Sequence, residues 1–195
     1  MRILITGAAG FIGFHLSERL LKNGFSVFAY DDLNTYYDVK LKESRLNKLY
    51  EIKVELNAEF LFRKGSIESF SSLESFFEKV RPDCVINLAA QAGVRYSLIN
   101  PFAYVQSNLV GFSNIIELSK RFNVKNFLYA SSSSVYGGNE NMPFKESSDV
   151  GHPVSLYAAT KRSNELIAHT YSNLYDLPSS GLRFFTVYGP WGRPD

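Results

Sequence analysis

Cysteine is almost absent from this sequence of 195 residues: Cys84 is the only one. An internal disulfide is therefore excluded, and its place in the apolar run CVINLAA reads it as a small buried residue of a protein in a reducing compartment. Charge of one sign is missing too. The 21 basic and 19 acidic residues leave a formal net charge of +2, with no cationic block of the kind that marks a nucleic-acid partner or an anionic membrane surface. No apolar run approaches the ~18 residues of a membrane span, and no basic stretch followed by an apolar one precedes the first motif. The expectation is a cytoplasmic chain with no membrane span and no nucleic-acid partner. His15, His152 and His169 lack metal-ligand spacing, so no metal is expected. No fixed-period repeat occurs, and the serines at 131–134 are the only low-complexity tract. What remains, 45% hydrophobic and 21% charged, describes a globular chain large enough to bury one core.

Short apolar runs alternate with helical patterns along the chain. Residues 2–6, 26–30, 58–62, 83–90, 126–131 and 181–186 are near-continuous apolar runs, as expected for strands covered on both faces. Ile12, Leu16 and Leu20 repeat at helical spacing before Gly24; Leu73, Phe76, Phe77 and Val80 do so before Pro82. Further helices are predicted over about 101–121 and 156–175. The polar, mixed-charge stretch 33–57 reads as a loop and a solvated helix. Strands alternating with helices predict an α/β fold with a doubly wound parallel sheet, the Rossmann arrangement.

Three glycines, Gly7, Gly10 and Gly13, follow the first strand and open the first helix. In that setting Gly7 permits a tight turn, Gly10 lets backbone approach a pyrophosphate, and Gly13 lets helix and strand pack closely. The free N–H groups of the first helical turn then hold phosphates. The second strand ends in Asp31, 18 residues past Gly13, where a carboxylate can accept both ribose hydroxyls. With Asp32 next to it and no arginine nearby in sequence, a 2′-phosphate is disfavoured and NAD is expected over NADP. A bare turn is the alternative.

The second constellation is YAATK, Tyr157 to Lys161. On a helix these side chains are i, i+4 neighbours, so the ammonium can lower the phenol's pKa and steady a tyrosinate that takes a proton from an alcohol. An ordinary exposed Tyr/Lys pair has the same spacing. The balance shifts with ASSSSVYG at 130–137, which continues the fifth strand to the edge of the sheet where ligands of such folds bind.

Together GAAGFIG, NLAAQAGVRYS, SSSSVYG, YAATK and LRFFTVYGPWGRPD resemble the extended short-chain dehydrogenase/reductases of the NAD-dependent epimerase/dehydratase family, and most closely the UDP-glucuronate 4-epimerases. The resemblance implies that Tyr157 is the proton acceptor, that Lys161 holds the nicotinamide ribose, and that Ser132, or alternatively Ser134, assists the tyrosine. By the same matching Phe11, Ile12 and Asp31 contact the adenosine. Ile67, Ser107 and the stretch Leu88, Ala89, Ala90 and Gln91 line the cofactor, and Phe185 lies beside the nicotinamide. Ser133, Thr186 and Arg193 face the sugar. Arg95 or Arg193 is the candidate partner of a C6 carboxylate, a phosphate contact or a surface position being the alternatives. Ser66 stands where many relatives carry an acidic residue that grips adenine.

A dehydratase of the family carries an acid and a base beside the tyrosine, and a glucuronate decarboxylase a glutamate just before the valine; Ser133 and Ser134 fill those places here. The resemblance therefore implies the simplest reaction: hydride removal from C4, rotation of the 4-keto sugar and hydride return, converting UDP-glucuronate to UDP-galacturonate for a surface polysaccharide. Family members continue past GRPD into a smaller domain for uridine diphosphate and are expected to pair as homodimers. The reading divides the chain into an NAD-binding part, 1–180, and the sixth strand with the start of the substrate-binding part, 181–195. The other reading is a truncated, non-catalytic remnant that binds dinucleotide.

Overall fold

The computed structural model describes residues 1–140 and 142–192. Six parallel strands form one sheet in the order β3-β2-β1-β4-β5-β6. They are β1 (Arg2–Thr6), β2 (Ser26–Asp31), β3 (Phe60–Lys64), β4 (Cys84–Asn87), β5 (Asn126–Ser132) and β6 (Ser179–Phe184). The order turns at β1, whose register pairs Ile3 with Val27 on one side and with Cys84 on the other. Side chains alternate across the pleat. Ile3, Ile5, Val27 and Ala29 therefore bury against α1 (Phe11–Lys22) and α2 (Val39–Leu56), while Leu4, Phe28, Val85 and Phe127 bury against α3 (Phe70–Val80), α5 (Phe112–Arg121) and α6 (Leu156–Tyr175). Helices on both faces explain why the central strands carry apolar residues at nearly every position.

Three expectations need correcting. The stretch 33–57 is a loop and a helix as expected, but the helix, α2, 18 residues long, is not solvated all round: Lys42, Arg45, Leu46, Leu49 and Ile52 form a buried stripe. Two cations lie in that stripe, and counting them as polar hides its helical spacing. The run 83–90 yields only the four residues of β4, because Leu88 to Gln91 leave the sheet and line a cavity. The expected helix 101–121 is interrupted: α4 (Pro101–Tyr104) and α5 flank a π-helical turn, Val105–Gly111. Such bulges concentrate at functional sites, and this one carries Ser107 and the buried Asn108. By contrast, α6 spans 156–175 as its spacing predicts.

Candidate active site

A cavity of about 690 Å³ lies at the carboxyl ends of the strands, beside the neighbouring ends of β1 and β4 where the strand order turns. One end is built from the β1–α1 turn. Gly7 has φ +67, and a Cβ there would meet Ala89 N at 2.7 Å. A Cβ on Gly13 would lie 2.2 Å from Gly7 O, so Gly13 packs against the turn itself rather than against the strand. The turn thus fits under the residues that follow β4 because Gly7 has no side chain, and α1 closes onto the turn because Gly13 has none. The amide of Gly10 donates to Gly7 O, and α1 starts with no side-chain cap and no acidic residue in its first turn. Its leading N–H groups are left for an anion. Phe11 and Ile12 line the cavity beside them.

Asp31 closes β2 with 8% exposure. Its carboxylate accepts the amides of Ala9 (3.0 Å) and Leu33 (2.9 Å), which aims it across the turn and leaves lone pairs for ligand hydroxyls. Burial raises its pKa above the usual carboxylate value and Asp32 adds to that; the Leu33 and Ala9 amides and Lys42 oppose it. Asp32 accepts the amide of Asn34 at 2.9 Å. Ser66 and Ile67, after β3, complete this end.

The other end assembles from distant segments. Tyr157 and Lys161 stand one turn apart on α6, with Ser132 at the end of β5, and all three line the cavity. Lys161 is 3% exposed, donates from Nζ to Ala130 O at 2.8 Å, and lies 6.0 Å from the centre of the Tyr157 ring. Burial alone lowers its pKa to about 8. Ser132 Oγ donates to Ser134 Oγ and accepts the Ser134 amide, each at 3.1 Å. Of the two serines named as helpers, Ser132 reaches the lining and Ser134 stands behind it. Ala89, Ala90, Gln91 and Ser107 contribute one wall, and Phe185 and Thr186 another; Ser133 and the exposed Arg95 lie outside the lining. Arg193 lies outside the described residues.

Several residues that the sequence reading passed over belong to the same region. Asn108 accepts the Gln91 amide at 2.8 Å and donates to Gln91 O and Thr160 Oγ1, each at 3.1 Å, so the π-helical turn ties the β4 loop to α6. The Tyr104 ring meets that of Tyr157 edge-on at 6.1 Å, and its hydroxyl donates to Ala92 O and Gly93 O. The sequence carries no separate signal for Asn108, which follows two other polar residues, Gln106 and Ser107. Lys42 lines the cavity, and Arg45 donates to Ala9 O. An arginine therefore does approach the end of the cavity built from the β1–α1 turn; its Nη1 and Nη2 donate to Ala9 O, Tyr37 Oη and Trp191 O, while its buried Nε has no partner among the described residues.

Residues 3–195 match the NAD dependent epimerase/dehydratase family. CapI from Staphylococcus aureus is 57% identical over 195 residues, covering all of this chain and 57% of that protein. A probable UDP-glucuronate 4-epimerase from Rhizobium meliloti is 51% identical over 195 residues, again all of this chain and 56% of the relative. Among solved structures, UDP-glucuronic acid 4-epimerase from Bacillus cereus, in complex with UDP-glucuronic acid and NAD, superposes with a TM-score of 0.88 at 36% identity over all of this chain and 60% of that one. The chain thus spans a little over half the length of these relatives. NAD is the cofactor of the family, and the residues here fit it: a side-chain-free turn, an uncapped helix start and a buried carboxylate with free lone pairs. On sequence, fold and site geometry alike, this chain belongs to the NAD dependent epimerase/dehydratase family.

Proposed function

We propose that the chain carries the reactive site of a UDP-glucuronate 4-epimerase. The observation that carries the reading is the juxtaposition of Tyr157, Lys161 and Ser132 in the cavity whose far end is the Gly7–Gly13 turn and Asp31. The Gly7–Gly13 turn and the first amides of α1 hold the pyrophosphate, Asp31 accepts the adenosine ribose hydroxyls, and Lys161 donates to the nicotinamide ribose. When bound, NAD supplies a reversible hydride acceptor for C4 of the sugar.

The chain's own groups handle the proton. Tyr157 Oη takes it from the 4-hydroxyl and later returns it, and Ser132 Oγ hydrogen-bonds the same oxygen. Lys161, still protonated at neutral pH with its pKa near 8, stabilises the phenolate through low-dielectric surroundings. Serines rather than carboxylates at 133 and 134 leave no acid or base for eliminating water, which favours epimerisation over dehydration. Thr186, in the lining, is the position that meets the sugar, Arg193 is assigned to the sugar acid from the resemblance alone, and a surface polysaccharide is the destination of the product. A cytoplasmic homodimer is part of the same reading.

The test is side-by-side turnover of UDP-glucuronate and UDP-glucose. Strong preference for the uronic acid is expected if Arg193 pairs with its carboxylate as the resemblance implies, since a neutral sugar leaves that guanidinium without its partner. Equal rates would leave a general UDP-hexose epimerase instead.

A further inference from the structure

We propose that Arg45 is a positioning residue: it latches the segment 188–192 across the dinucleotide end of the cavity and so sets how slowly NAD leaves. The inference rests on the cofactor site and not on the choice of sugar. Arg45 sits on α2, is fully buried (0% exposed), and joins three parts of the molecule that are remote in sequence. One Nη1 donates to Ala9 O at 2.9 Å, on the phosphate turn, and to Tyr37 Oη at 2.6 Å, on the wall beside Asp32; Nη2 donates to Trp191 O at 2.6 Å. Ala9 is held from its other side as well, since its N–H donates to Asp31.

The segment held by Trp191 O lies over the start of α1. Pro190 O is 2.8 Å from His15 Nε2, the Trp191 ring is 5.6 Å from that of Phe14, and a Cβ on Gly189 would touch Phe11 Cζ at 3.6 Å. Tyr188, Gly189 and Gly192 line the same cavity as Gly10 and Asp31. The segment therefore stands beside a ligand on the phosphate turn, and in the proposed latch it must lift for that ligand to leave quickly. The planar fork serves Ala9 and Tyr37 from Nη1 and Trp191 from a second nitrogen, Nη2, in fixed directions, whereas an ammonium would have to serve all three from one atom. Slow release suits an enzyme that must return a hydride to the same sugar before its cofactor departs.

Trp191 is the only tryptophan in the chain, so its fluorescence reports the segment directly. The chain is loaded with NADH, chased with excess NAD, and NADH release is followed by its own fluorescence; acrylamide quenching of Trp191 is measured in parallel. Arg45→Met should speed release about tenfold or more and expose Trp191 to quencher, as loss of charge-assisted hydrogen bonds implies. Arg45→Lys should give a smaller acceleration. His15→Ala should do so as well, and because His15 is on the surface this variant keeps the test open if Arg45→Met fails to fold. Wild-type release and quenching in folded Arg45→Lys and His15→Ala would overturn the latch. So would a lowered Tm with no change in release, the mark of a merely structural role. Wild-type chain that holds no NADH would instead overturn the cofactor site, and the latch with it.

Discussion

The two ends of the cavity are made by opposite means. At the dinucleotide end the working parts are backbone amides and missing side chains, supplied by residues 7–13 and anchored by Asp31. At the reactive end they are buried polar side chains brought from β5, the π-helical turn and α6. The first end is fixed by shape, and a substitution there disturbs folding and binding together. The second is fixed by chemistry on a frame that stands without it, so substitutions there should separate function from folding.

Tyr157→Phe gives the sharpest separation. In a form long enough to turn over UDP-sugars, it should lower kcat by about 10² to 10⁴, the usual worth of general acid-base catalysis, with Tm and NADH affinity nearly unchanged. Near-normal turnover would place the proton acceptor elsewhere. Gly13→Val is the counterpart at the other end: its side chain would overlap Gly7 O, and overpacking of this kind costs about 1–3 kcal/mol or more. Thermal unfolding and NADH titration should both deteriorate, whereas retained stability with lost binding would break the comparison.

Lys161 tests the reactive end through pH. Its pKa falls from 10.5 to about 8 on folding, so between about pH 8 and 10.5 the unfolded chain binds the proton more readily and this group makes stability rise with pH, by an amount of order a few kcal/mol. Lys161→Met should abolish that slope in denaturant titrations and lower NADH affinity; an unchanged slope would show that the ammonium is not buried as described. The smallest effect expected is at Asp31. Asp31→Ala should weaken NAD by about tenfold and narrow its advantage over NADP. Because burial raises the Asp31 pKa and the ionised form is proposed to accept the ribose hydroxyls, NAD affinity in the wild type should start to fall in acid above the usual carboxylate range. Calorimetric titration against pH in both forms reads this, and identical profiles would remove the role of Asp31.

The same contrast decides what could be read from sequence. The dinucleotide turn is local: Gly7, Gly10, Gly13 and Asp31 fall within 25 residues, and their spacing encodes their geometry. The pair Tyr157 and Lys161 was legible because one helix sets it. Asn108 and Tyr104 were not, since their meaning lies in contacts with Gln91, Ala92 and Tyr157 that only the tertiary fold creates. Arg45 was hidden twice over, in a helix whose buried stripe mixes cations with leucines and by a partner, Trp191, 146 residues away.

The account turns on one claim of the proposed reading, that the hydride leaves C4 and returns to the same carbon on its other face, while Tyr157 takes the proton from the 4-hydroxyl oxygen and gives it back there. UDP-glucuronate deuterated at C4 tests it directly, with product analysed by mass spectrometry and NMR. The expected result is UDP-galacturonate that retains the deuterium at C4 with no label in solvent. Loss of the label, or no conversion by a full-length form that binds NAD and keeps Tyr157, Lys161 and Ser132, would contradict it.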